Sequence, residues 1–148
     1  MPAGSIVDGI QVTVEAMSTD NSGCTLQASL SWDNGVTFTS AQTANLTNTE
    51  TVFTLGGVAN NWGRVWSPPD MTDANFVVRV RNVVSGGCAN PSTTSLDQVQ
   101  VKVTYRTIVS GTTNPSLAPG TCLKADFNFV IDMSGSIGAQ GSVHALGH

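Results

Sequence analysis

The sequence predicts an all-β fold, an antiparallel, jelly-roll-like β-sandwich followed by a short C-terminal extension. Three observations carry this expectation. Apolar residues recur with a period of two along several stretches, and a helical period is almost absent. The stretches are short and separated by Gly, Asn, Ser and Pro, the residues that turns demand. Their opposite phase is filled by Thr, Gln, Ser and charged residues, so each has one face suited to a core and one suited to solvent. A chain of 148 residues suits one domain of ordinary size with a short appendage, and it can bury a sizeable core without a metal.

The elements follow in chain order. Ile10, Val12, Val14 and Ala16 alternate with Gln11, Thr13 and Glu15. Leu26, Ala28, Leu30 and Trp32 alternate with Thr25, Gln27, Ser29 and Ser31. The pair Asn34-Gly35 is a hairpin signal, because a type I′ turn needs positive φ at both central positions, and Val36 and Phe38 are expected to continue as strand beyond it. Thr51 to Leu55 reads as a short strand ended by Gly56-Gly57. The stretch from Ala59 to Ala74, with Trp62, Trp66, Pro68 and Pro69, reads as a connection crossing between sheets, with Asp70 starting one helical turn. Phe76, Val78 and Val80 then alternate with Val77, Arg79 and Arg81. Val99, Val101, Val103 and Tyr105 alternate with Gln98, Gln100, Lys102 and Thr104. These stretches place the sandwich within residues 1–108. Residues 109–123, rich in Ser, Gly, Thr, Asn and Pro, read as a linker. Residues 124–148 form a separate C-terminal piece, an apolar strand around Phe127 to Met133 followed by a Gly-rich tail.

Composition excludes several function classes. Charged residues make up 11% of the chain, against roughly 25% in a typical soluble protein. The net charge is −4 and the six Lys and Arg residues form no cluster, which argues against nucleic-acid or anionic-membrane partners. No apolar run approaches the roughly 20 residues of a membrane-spanning helix, so direct membrane insertion is not expected. The opening, Met1-Pro2-Ala3-Gly4-Ser5, lacks the basic and apolar regions of a signal peptide. Export is therefore expected within a longer chain or by release with a virus particle.

The three cysteines show no metal-ligand spacing. Cys24 and Cys88 both follow loop sequences and are a candidate disulfide, the alternative being two thiols; Cys122 falls in the linker. Catalysis is poorly provided for, because the two histidines, His144 and His148, lie in the terminal tail. Asp70 with Asp73, or Asp8 with Glu15, are the conceivable carboxylate pairs, and Asp70 and Asp73 read better as turn caps. Asp70, Asp73 and Asp97 are candidates for a Ca²⁺ site. Trp32 falls on the inward phase of its strand. Trp62 and Trp66, with Arg64 between them, are the candidate ligand-binding residues: as loop tryptophans they would stack on a sugar ring, or else cover the edge of the sandwich. Arg79 and Arg81 share an outward face where an anion could sit, solvated side chains being the alternative.

Three resemblances add to this. Phe129-Val130-Ile131-Asp132-Met133-Ser134-Gly135-Ser136-Ile137-Gly138 resembles the start of a von Willebrand factor type A domain, in which a strand runs into a D-x-S-x-S loop. That resemblance implies a Mg²⁺ or similar cation on Asp132, Ser134 and Ser136, which are hard oxygen ligands. It covers about residues 124–138 and lacks the later loops that complete the family's site. The body, from Asn61-Trp62-Gly63-Arg64-Val65-Trp66-Ser67 through Phe76-Val77-Val78-Arg79-Val80 to Leu96-Asp97-Gln98-Val99-Gln100-Val101, looks like jelly-roll modules of bacterial surface proteins and phage-like structural proteins. Ser31-Trp32-Asp33-Asn34-Gly35-Val36-Thr37-Phe38 is similar to an Asp-box, S-x-D-x-G-x-T-W, with Phe38 for the Trp. In such a box Asp33 accepts hydrogen bonds from turn amides and Phe38 packs inward, a structural role.

The expected function is that of a non-enzymatic structural or adhesive module, secreted or on a cell or virion surface. It would assemble with copies of itself or with neighbouring domains through the C-terminal strand. The alternative is a carbohydrate-binding module with glycans as partners. No cofactor is expected beyond a Ca²⁺ or Mg²⁺ ion at the positions named.

Overall fold

A computed structural model of the protein describes residues 1–19, 24–84, 88, 93–108, 122–136 and 141–144, the last two segments by their backbone. In chain order the strands are β1 (Ser5–Ser18), β2 (Cys24–Ser31), β3 (Gln42–Asn45), β4 (Thr51–Gly56), β5 (Val77–Val84), β6 (Thr94–Ile108), β7 (Cys122–Ser136) and β8 (Gly141–His144). They form two antiparallel sheets, one in the order β4-β1-β6-β7 and the other in the order β3-β2-β5-β8. The chain is thus an all-β sandwich. Most connections pass from one sheet to the other, and the pairs that are neighbours in both sequence and sheet are β2–β3 and β6–β7.

The predicted inward residues form a single core. Ile10, Val12, Val14 and Ala16 of β1 and Val99, Val101 and Val103 of β6 come from one sheet. Leu26, Ala28 and Leu30 of β2 and Val78 and Val80 of β5 meet them from the other. Trp32 and Tyr105 are partly buried at its margin. Each strand alternates because successive side chains leave opposite faces of the pleat. The two β-branched-rich strands of the first sheet lie side by side, Val12 opposite Val101 and Val14 opposite Val99.

The turn at Asn34-Gly35 takes the predicted form, with φ of 57° and 83°. The strand expected beyond it is absent, however. β2 ends at Ser31 and the pairing partner is β3, which begins only at Gln42. Local side-chain bonds explain this. The Gly35 amide donates to Ser31 Oγ (2.9 Å) and the Thr37 amide donates to Asp33 Oδ1 (2.7 Å), which diverts them from a ladder. Val36 is left 83% exposed. Phe38 does not pack inward either. It lies half-buried with the Arg79 guanidinium 3.7 Å over its ring, on the outer side of the second sheet.

Between β4 and β5 the chain crosses from one sheet to the other, as the sequence predicts. Its first part is fastened to β1: the Ile10 amide donates to the Asn60 carbonyl (2.9 Å), and the Ile10 carbonyl accepts from the Gly57 amide (3.0 Å). Residue 9 must be glycine for this approach, since a Cβ there would lie 2.4 Å from the Gly57 carbonyl oxygen. Further on, Pro68–Met71 forms one 3-10 turn. Ser67, rather than Asp70, occupies its N-cap, and Asp70 Oδ2 accepts from the Ser67 amide (2.7 Å) and hydroxyl (2.8 Å). Proline is at home in that first turn, where its missing N–H is no loss.

The C-terminal residues contribute one strand to each sheet. β7 pairs with β6 over its length, from Ile108 opposite Cys122 to Ser95 opposite Ser136, with a bulge between Leu96 and Gln98. β8 pairs with β5, from Val80 opposite Gly141 to Val77 opposite His144.

Candidate functional site

A groove of about 310 Å³ opens where the β2–β3 loop meets the crossing segment. Trp32, Thr39, Gln42, Asn60, Trp62 and Arg64 are among its lining residues. The folded turn after β2 delivers Trp32 and Thr39, the latter fixed by its hydroxyl, which accepts from the Leu30 amide (3.1 Å). Gln42 is fixed from the other side, its Oε1 accepting from the Gly56 amide (2.7 Å). Asn60 Oδ1 accepts from the Trp62 amide (2.9 Å). With both amide oxygens engaged, the hydrogen-bonding capacity left to Gln42 and Asn60, both of which line the groove, is that of NH₂ donors.

Arg64 links the groove to the core. Its guanidinium carbon stands 3.8 Å over the Trp32 ring and 4.8 Å from the Trp66 ring centre. Its Nη2 donates to Asp70 Oδ2 at 3.1 Å. The charge is therefore balanced within the protein, and one face of Trp32 is taken. Trp66 meets Trp32 edge-on, with ring centres 6.2 Å apart, and meets Phe76 at 5.9 Å.

Trp62 and Trp66 do not form the exposed platform considered for them. They are 5% and 2% exposed. Each indole N–H is spent on a backbone carbonyl, Trp62 on Ile10 (2.8 Å) and Trp66 on Asn61 (2.7 Å). Trp62 is held in the left-handed region, φ 56°, by these bonds and by Asn60. Both rings close the sandwich edge. Burial wins because a crossing segment with no strand and a single 3-10 turn must still bring apolar area to the core.

Cys24 and Cys88 are joined as a disulfide, with Cα atoms 4.7 Å apart. Asp33 belongs to the turn: its carboxylate accepts from the Thr37 amide and the Ser31 hydroxyl, and these bonds, the Thr37 amide foremost, hold its pKa below the ordinary carboxylate value. Asp8 pairs with Arg106, and Asp97 is exposed on β6. Among the described residues, no three His, Cys, Asp or Glu side chains come together as metal ligands.

Asp132, Ser134 and Ser136 lie in β7, their side chains outside the described part. The resemblance implies a loop there, but strand continues to Ser136, antiparallel to β6. The segment that would form the D-x-S-x-S loop is therefore strand in this chain, with an irregular register between Asp132 and Gly135. Of the histidines, His144 is placed by its backbone in β8, and His148 lies outside the described residues.

Reading the sequence missed Thr39, Ser40, Ala41, Gln42 and Asn60 as groove residues. Neutral polar residues in two separate loops carry no pattern that would join them. No helix among the described residues is long and apolar enough to cross a membrane. No family model, curated protein or solved structure matches the chain.

Proposed function

We propose that the protein is a non-enzymatic structural or adhesive module of an extracellular or virion-surface assembly, joined to copies of itself through its C-terminal strand. The observation that carries this reading is the β6–β7 pair. β7 is an edge strand of fifteen residues, added to β6 after the connecting residues 109–121. Such an edge strand on a long connection can leave its own sheet and rebuild the same hydrogen bonds on the β6 of another copy, which is domain swapping. The disulfide supports the location, since such bonds persist in oxidising compartments.

Light scattering coupled to size exclusion tests this on the full chain over a range of concentrations. A second sample locks β7 to its own β6 by Gln100→Cys with Val130→Cys, a directly opposed pair, in a Cys122→Ser background. The expected result is oligomers from the first and monomer from the locked variant. Oligomers that persist in the locked variant, or a full chain that is monomeric throughout, would overturn the reading.

The groove favours a second reading, carbohydrate binding. Its aromatic is then Trp32, flanked by the amide donors of Gln42 and Asn60. A sugar offers hydroxyls to such donors and an apolar face to a ring edge. Retention of the wild type on a glycan array that Trp32→Ala loses, with the β-sheet circular dichroism spectrum kept although the melting midpoint falls, is the expected result; no retention on any glycan removes this reading.

A further inference from the structure

The cations of this chain are unequally partnered. Arg64 holds Asp70 and Arg106 holds Asp8. Arg79 and Arg81, by contrast, hold neutral acceptors. Arg79 Nε donates to Ser29 Oγ (3.2 Å) and Arg81 Nη2 donates to Gln27 Oε1 (3.1 Å). Both arginines stand on the outer phase of β5, since Val78 and Val80 on the other phase are in the core.

Strand register identifies what surrounds them. Ser29 is opposite Arg79 and Gln27 is opposite Arg81 on β2. Thr43 is opposite Gln27 on β3, and Ser142 is opposite Arg79 on β8. None of these positions carries a carboxylate. Asp33, in the loop at the end of β2, is committed to the Ser31 hydroxyl and the Thr37 amide. Two arginines whose Cα atoms lie about 7 Å apart along one strand therefore share this face without a counter-charge among the described residues. Arg79 is also half-buried against the Phe38 ring. Burial, and after it the charge of Arg81, pulls its pKa below the ordinary guanidinium value. A cation pair that is partly desolvated and unbalanced is relieved by an anion between its members, and planar guanidinium forks match the oxygens of such groups.

We propose that Arg79 and Arg81, with Gln27 and Ser29 beside them, form a binding site for an oxyanion, a sulfate or carboxylate group carried by a ligand or partner. The site lies on the outer face of the second sheet and shares no residue with the β6–β7 pair or the lining of the Trp32 groove.

Side-chain N–H resonances of Arg79 and Arg81, followed by NMR while sodium sulfate replaces sodium chloride at constant ionic strength, test it. The expected result is a saturable shift at both residues. Arg81→Gln, which leaves the Arg79–Phe38 stack in place, weakens the apparent affinity at least about tenfold, while Arg106→Gln on the other sheet leaves it unchanged. Shifts that do not saturate, or an affinity that Arg81→Gln does not alter, would overturn the proposal. Retention on sulfated dextran, or instead on polyglutamate, distinguishes a glycan sulfate from a protein carboxylate as the source of the anion.

Discussion

Trp66 shows how one side chain can be claimed by the fold. Its ring touches Trp32 and Phe76, Arg64 lies beside it, and its N–H is bound to Asn61. Trp66→Ala is expected to lower stability by about 3–5 kcal/mol in urea unfolding, and Trp66→Phe by less, since it keeps most of the apolar area and loses the N–H. Asp33 carries a pH dependence of known sign. Its folded pKa lies below the ordinary 3.8, so its stabilising effect is present above that value and is lost as the pH falls through and beneath it. Asp33→Asn is therefore expected to flatten the acid limb of the stability profile, and an unchanged acid limb in the variant would contradict the assignment.

Among the elements, the crossing segment depends most on close backbone approach. Gly9 sits at a bulge of β1 against β6, where the Gly57–Val58 backbone comes within 2.4–2.5 Å of a notional Cβ. Backbone cannot give way as a flexible side chain can. Gly9→Ala is expected to cost several kcal/mol, on the order of 2–4, and to shift the unfolding midpoint without changing the spectroscopic signature of the remaining strands. At this same scale the sequence reading was uneven. β1, β2, β5 and β6 were legible because each buries one face and alternates. β3 was not, because Gln42–Asn45 carries Ala44 as its one apolar residue and its phases are half-buried and exposed. Phe38 was misplaced because a turn held by Ser31 and Asp33 side chains does not continue as strand.

For the whole molecule, the Cys24–Cys88 bond closes a loop across sixty-four positions of sequence and ties the start of β2 to the segment after β5. Its removal by Cys24→Ser with Cys88→Ser is expected to cost about 2–4 kcal/mol. Reduction of the wild type should lower its unfolding midpoint to that of the double variant; a midpoint insensitive to reduction would argue against the bond.

The all-β class, the inward residues of the long strands, the turn at Asn34-Gly35 and the crossing between sheets can be read from the amino-acid order. These follow from local rules, a period of two and turn chemistry, that need no partner to be read. The tertiary structure alone decided that Trp62 and Trp66 are core, that Cys24 meets Cys88, and that Trp32, Gln42, Asn60 and Arg64 share a groove. It also decided that no carboxylate among the described residues stands opposite Arg79 and Arg81. Each of these depends on which distant segments become neighbours. Burial and charge balance are properties of those neighbours rather than of the residue.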